Sequence, residues 1–127
     1  GVQTCALPIF ECVIKSSKQV LYNSIGSASG LSEWFADNVT IDKDGIFCFE
    51  WDGSVEKAKL ASRKPGEYIK FQWLEDEETY FELRITVDAL TKDVSLIITD
   101  FAEEDEIEES KQLWESQISE LTHLIGA

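Results

Sequence analysis

The sequence predicts an α+β domain: one curved antiparallel sheet of six to seven strands, two short helices after the first strand, and a long C-terminal helix that the sheet wraps. Three observations carry this expectation. The middle of the chain is a succession of short segments in which apolar and polar residues alternate, each closed by turn residues. Strict alternation means one buried face and one wet face, so something must cover the buried side. The last stretch, "AEEDEIEESKQLWESQISELTHLIGA", is an amphipathic helix of roughly twenty residues that can do so. A length of 127 residues suits one domain.

"FECVI" (Phe10 to Ile14) is the first strand, with Phe10, Cys12 and Ile14 on one face. Ser17 then reads as the N-cap of a short helix carrying Val20, Leu21 and Ile25, which Gly26 ends. Ser27 or Ser29 opens a second short helix carrying Leu31, Trp34 and Phe35. A run of strands follows. "NVTI" (Asn38 to Ile41) ends at the turn "DKDG" (Asp42 to Gly45). "IFCFEW" (Ile46 to Trp51) sets Phe47, Phe49 and Trp51 on one face, with Cys48 outward. The pair Asp52-Gly53 is the strongest hairpin signal in the chain. "VEKAKLAS" (Val55 to Ser62) is polar enough to predict an edge strand.

Past the turn "KPGE" (Lys64 to Glu67), "YIKFQWL" (Tyr68 to Leu74) places Ile69, Phe71 and Trp73 together. A charged loop is expected over Glu75 to Glu78. In "TYFELRITVDAL" (Thr79 to Leu90), Phe81, Leu83, Ile85 and Val87 share a face against Glu82, Arg84, Thr86 and Asp88. "VSLIITDF" (Val94 to Phe101) is the last strand. Tyr80 and Asp100 read as outward-facing. At about 100° per residue, Ile107, Trp114, Ile118, Leu121 and Ile125 of the final helix form one stripe, with Leu113 and Leu124 on its shoulder. "DEIE" (Asp105 to Glu108) reads as a capping-box variant, and Gly126 as a stop.

The formal charge of −14 argues against DNA, RNA and anionic membrane surfaces, which need a basic patch. No apolar run approaches the ~20 residues of a membrane-spanning helix. Three cysteines at unrelated spacings suggest neither a disulfide framework nor a metal site, so a reducing cytoplasm is the expected compartment. His123, the single histidine, falls far from the apolar stripe and is expected in solvent, where it supports neither a triad nor a zinc site. No nucleophile motif or phosphate loop is present, so no catalytic residue, metal or cofactor is assigned. The acidic runs Glu75 to Glu78 and Glu103 to Glu109 are most simply solvated, and together they could form an acidic docking face.

The ordered set "GLSEWFADNV", "FCFEWDG", "IKFQWL", "ELRITV" and "ESKQLWESQISEL" resembles the START-like helix-grip (SRPBCC) superfamily. Within it, the nearest resemblance is to the branch related to the activator of Hsp90 ATPase and to compact bacterial START-like proteins known mainly from Bacteroidetes. The residues that carry the resemblance are the pair Trp34-Phe35, the "FQW" of Phe71 to Trp73, and Trp114 inside the last helix.

That resemblance implies a helix-grip fold with a cavity between sheet and long helix. Its candidate lining is Trp34, Phe35, Phe47, Phe49, Trp51, Phe71, Trp73, Phe81, Leu83, Trp114 and Ile118. The same rings could instead simply fill the core. Three functions follow as alternatives. The first is a non-enzymatic module binding an apolar or aromatic small molecule. The second is a co-chaperone-like domain that docks a chaperone or another protein. The third is a cyclase- or hydratase-type enzyme, for which the inward positions supply no acid or base. No nucleic-acid partner or membrane insertion is expected.

The first nine residues stand apart. "GVQTCALPI" is the in-frame translation of GGA GTT CAG ACG TGT GCT CTT CCG ATC, a common sequencing-library adapter. Residues 1–9 are therefore expected to be non-native, and the START-like domain to occupy residues 10–127. Cys5 and Pro8 then bear no functional argument.

Overall fold

The computed structural model describes residues 4–75 and 79–126, with side chains for 10–75, 79–101 and 105–126. The elements run β1 (Thr4–Ile14), α1 (Lys18–Ile25), α2 (Ala28–Trp34), β2 (Asn38–Ile41), β3 (Phe47–Trp51), β4 (Ser54–Lys64), β5 (Tyr68–Trp73), β6 (Tyr80–Val87), β7 (Val94–Glu103), a 3-10 turn (Glu104–Glu106) and α3 (Ile107–Ile125). All strands join one antiparallel sheet in the order β1-β7-β6-β5-β4-β3-β2. β2 to β7 are a meander of short connections, and β1 closes the far edge by pairing with β7. The α+β helix-grip architecture follows, with α3 packed into the sheet.

Local chemistry explains the joints. Ser17 Oγ accepts from Val20 N at 3.1 Å and Ser27 Oγ from Gly30 N at 3.0 Å, so each short helix has a hydroxyl cap. Ser27, not Ser29, opens the second. Gly30 lets α2 approach α1: a Cβ there would sit 2.9 Å from Ser24 Cα. Asp52 and Gly53 both take positive φ, 50° and 84°, as a tight hairpin requires.

Buried side chains form one cluster between the inward sheet face and the helices. Phe49, Phe71, Phe81, Leu83, Leu96 and Ile98 come from the sheet, and Trp114, Ile118 and Leu121 from α3. Ile107 and Ile125 pack at the ends of that helical stripe, while Leu113 and Leu124 stay exposed on its shoulder.

Several expectations need correction. β4 lies inside the sheet, between β3 and β5, although most of its residues are exposed. Polarity reported that its faces are poorly covered, not that its edges are unpaired. Val20 and Val87 are exposed, the first at the edge of the inward stripe of Leu21, Ser24 and Ile25 and the second because it ends its strand. The capping box does not form. The 3-10 turn leads β7 into α3, and Glu106, in a helical conformation, occupies the cap position without a side-chain bond. β1 begins at Thr4, ahead of Phe10, with an irregular register between Pro8 and Phe10. Apart from Glu75, the loop expected over Glu75 to Glu78 lies outside the described residues, as do the side chains of Glu103 and Glu104 in the second acidic run.

Candidate functional site

Strand alternation aims a row of aromatic rings at α3. Phe49 and Trp51 on β3, Phe71 and Trp73 on β5, and Phe81 on β6 share the inward face. Ala58 of β4 stands opposite both Phe47 and Trp73, and its small side chain leaves room between the larger ones. From the helical side, Phe35 at the end of α2 stacks on Trp114 at 5.4 Å between ring centres and meets Trp51 edge-on at 5.3 Å. Phe81 lies 5.3 Å from Phe35 and 5.1 Å from Trp73.

Beside these rings the packing between sheet and α3 is open on one side. A cavity of about 400 Å³ remains, lined by Phe35, Trp51, Glu56, Trp73, Phe81, Asp100, Leu113, Trp114 and Gln117. Exposed Leu113 and Glu56 mark its mouth. A second, more polar cleft shares Glu56, Trp73 and Asp100 with it and adds Lys57, Glu75, Thr79 and Phe101.

Hydrogen bonds fix the walls. The Phe35 carbonyl, at a helix end where backbone acceptors lack partners, accepts from Trp51 Nε1 at 2.8 Å and from Gln117 Nε2 at 3.0 Å. Trp34 is not a lining residue and donates Nε1 to the Ser24 carbonyl at 2.7 Å. Asp100 Oδ2 accepts from Trp114 Nε1 at 3.0 Å, and Oδ1 accepts from the Phe101 amide at 2.8 Å. Burial raises the Asp100 pKa above its ordinary value, and these two donors partly offset that rise.

Of the eleven candidate lining residues, the cavity gathers Phe35, Trp51, Trp73, Phe81 and Trp114. Trp34, Phe47, Phe49, Phe71, Leu83 and Ile118 are buried in the surrounding core and are not among its lining residues. The lining also contains Glu56, Asp100, Leu113 and Gln117. Asp100 was expected to face outward, and it faces inward. It is two residues from Ile98 and four from Leu96, both fully buried, so alternation itself carried the signal. Glu56 stands opposite Phe49 and shares its face. Tyr80 does lie on the other face, against Lys70 at 4.1 Å and Phe101 at 4.9 Å.

Other chemistry is sparse among the described residues. His123 is exposed. Cys12 is half-buried, and burial, with a smaller contribution from Glu11, pushes its thiol up to about 11, so it is protonated at neutral pH. No group of three or more His, Cys, Asp and Glu side chains converges on a metal-sized site among the described residues. No helix there is long and apolar enough to cross a membrane.

The START-like superfamily domain model matches residues 7–127. The chain belongs to the START-like superfamily. The solution NMR structure of BfR322 from Bacteroides fragilis is 35% identical, covering 97% of this chain and 90% of that one, with a TM-score of 0.63. The Aha1 dimer from Colwellia psychrerythraea superposes with a TM-score of 0.75 over 97% of this chain and 96% of that one, at 13% identity. DynU16, a protein of the dynemicin biosynthetic locus, also reaches 0.75, at 11% identity, over 98% of this chain and 47% of its own. The last two likenesses concern the fold alone. No protein of curated function matches the sequence.

Proposed function

We propose that this START-like domain binds an apolar or aromatic small molecule between the sheet and α3, without transforming it. The observation that carries the reading is the space of about 400 Å³ bordered by the aromatic rings of Phe35, Trp51, Trp73, Phe81 and Trp114. Its volume lies in the range of small-molecule sites, roughly 300–1,000 Å³, and its lining has their character: apolar walls with a few polar groups. Phe35, Trp51, Trp73, Phe81 and Trp114 are the proposed contacts. Asp100 is the buried acid of the lining, but both its oxygens already accept internal bonds, which favours a fixed acceptor over a free proton donor. We read the domain as cytoplasmic, in keeping with the free thiols of Cys12 and Cys48.

Native mass spectrometry of the protein purified from its own host tests the proposal. A retained small molecule is the expected result, together with saturable binding of the neutral probe N-phenyl-1-naphthylamine. Absence of both overturns the reading.

Docking of a basic protein partner, of the co-chaperone kind, is the competing reading, favoured by the charge of −14. Pull-down with a chaperone at low salt, where an acidic face acts most strongly, tests it. No association under those conditions counts against it.

A further inference from the structure

We infer that the cavity selects an organic cation: an apolar or aromatic body carrying an amine or quaternary ammonium group. This rests on the small-molecule reading above and adds a charge to the ligand. Three features of the lining point the same way.

The first is the aromatic surface. Trp51, Trp73 and Trp114 present three indoles, the side chains whose faces attract cations most strongly. The second is charge. Glu56 and Asp100 line the cavity, and among the described residues neither Lys nor Arg does. The two acids also line the adjoining cleft, where Glu75 joins them against one basic residue, Lys57. An apolar chamber thus ends at an acidic mouth.

The third is the balance of donors and acceptors. The indole N–H of Trp51 is engaged by the Phe35 carbonyl, and that of Trp114 by Asp100. Gln117 Nε2 also donates to the Phe35 carbonyl. Two of the three indole N–H groups of the lining are therefore committed to internal acceptors. Asp100 differs: an ionised carboxylate offers about four acceptor positions, and internal bonds use two. The Trp114 and Phe101 bonds hold it in place, with acceptor capacity left for an ammonium group.

Calorimetric titration of the full chain at low salt with three matched probes tests the inference: 4-phenylbutylamine, 4-phenylbutan-1-ol and 4-phenylbutyrate. The amine is expected to bind about tenfold more tightly than the alcohol, the scale of one partly exposed ion pair with a cation–π contact, and the carboxylate most weakly. Added salt should weaken the amine alone. Glu56→Gln should narrow the amine-to-alcohol ratio. Asp100→Asn should narrow it further. Glu56 is exposed and makes no bond to the Trp114 network, so its variant keeps the test decisive where Asp100→Asn fails to fold. Alcohol binding as tight as the amine, or a ratio that neither variant changes, overturns the cation inference and leaves the small-molecule reading standing. No binding by any probe at millimolar concentration overturns both.

Discussion

Phe49→Ala is the most exacting test of the packing that surrounds the cavity. Phe49 is fully buried, and its ring centre lies 5.4 Å from Phe35, 5.5 Å from Phe71, 5.8 Å from Trp51, and 5.9 Å from both Trp73 and Phe81. Those neighbours belong to β3, β5, β6 and the end of α2, elements fixed by separate backbone bonds. Collapse into the vacated space would need several of them to move together. The loss should therefore sit at the upper end for a buried ring, about 4–5 kcal/mol. With a urea slope of about 2 kcal/mol/M, the unfolding midpoint should fall by about 2 M. Phe49→Leu keeps most of the volume and should lose only about 1–1.5 kcal/mol. Urea unfolding followed by tryptophan fluorescence measures both. A midpoint shift below about 0.5 M for the alanine variant, on that same slope, would refute the claim that this ring anchors the core. Equal shifts for the two variants would do the same.

Asp100→Asn should change how stability depends on pH. Burial raises the Asp100 pKa in the folded state above its ordinary value of 3.8. Between those two values the folded chain holds a proton that the unfolded chain has released. The stability this group contributes is thus complete below the unfolded value and is lost as pH rises through the folded one. Asparagine removes that dependence, so denaturation midpoints across pH should show the variant gaining on the parent as pH rises through this window; a constant difference would contradict the assignment. Gly30→Ala should destabilise by about 1–3 kcal/mol, because its Cβ meets the backbone of Ser24 rather than a flexible side chain. An unchanged melting temperature would mean that α1 and α2 are not held so closely. For residues 1–9 we propose an adapter origin, and the gene read from intact genomic DNA should carry other codons ahead of Phe10; recovery of the nine in frame refutes that origin.

Most strands were legible because period-two alternation is a direct record of one buried face. Phe81, Leu83 and Ile85 are all buried, as their spacing required. The helical stripe was equally readable at Trp114, Ile118 and Leu121. What failed was context. β4 looked like an edge because its side chains are wet, yet its backbone is paired on both sides; side-chain polarity reports cover, not hydrogen bonding. Asp100 continues the parity of Leu96 and Ile98, and so faces inward with them. Gln117 was silent because its bond to Phe35 spans 82 residues. The cavity itself follows from how rings of known facing fit in three dimensions. No periodicity records that.

The shared Phe35 carbonyl bears on the order of assembly. One oxygen joins the end of α2 to β3, sixteen residues on, and to α3, eighty-two residues on. The entropy of closing a chain loop grows with its length, and distant contacts tend to form late. The β3 bond can therefore form while the meander assembles, whereas the Gln117 bond must wait for the last helix to dock. The cavity wall is then a late product of folding, and α3 is the part whose departure would open it. Gln117→Ala should accordingly speed unfolding more than it slows refolding in stopped-flow measurements; the reverse would show that α3 docks before the sheet is complete.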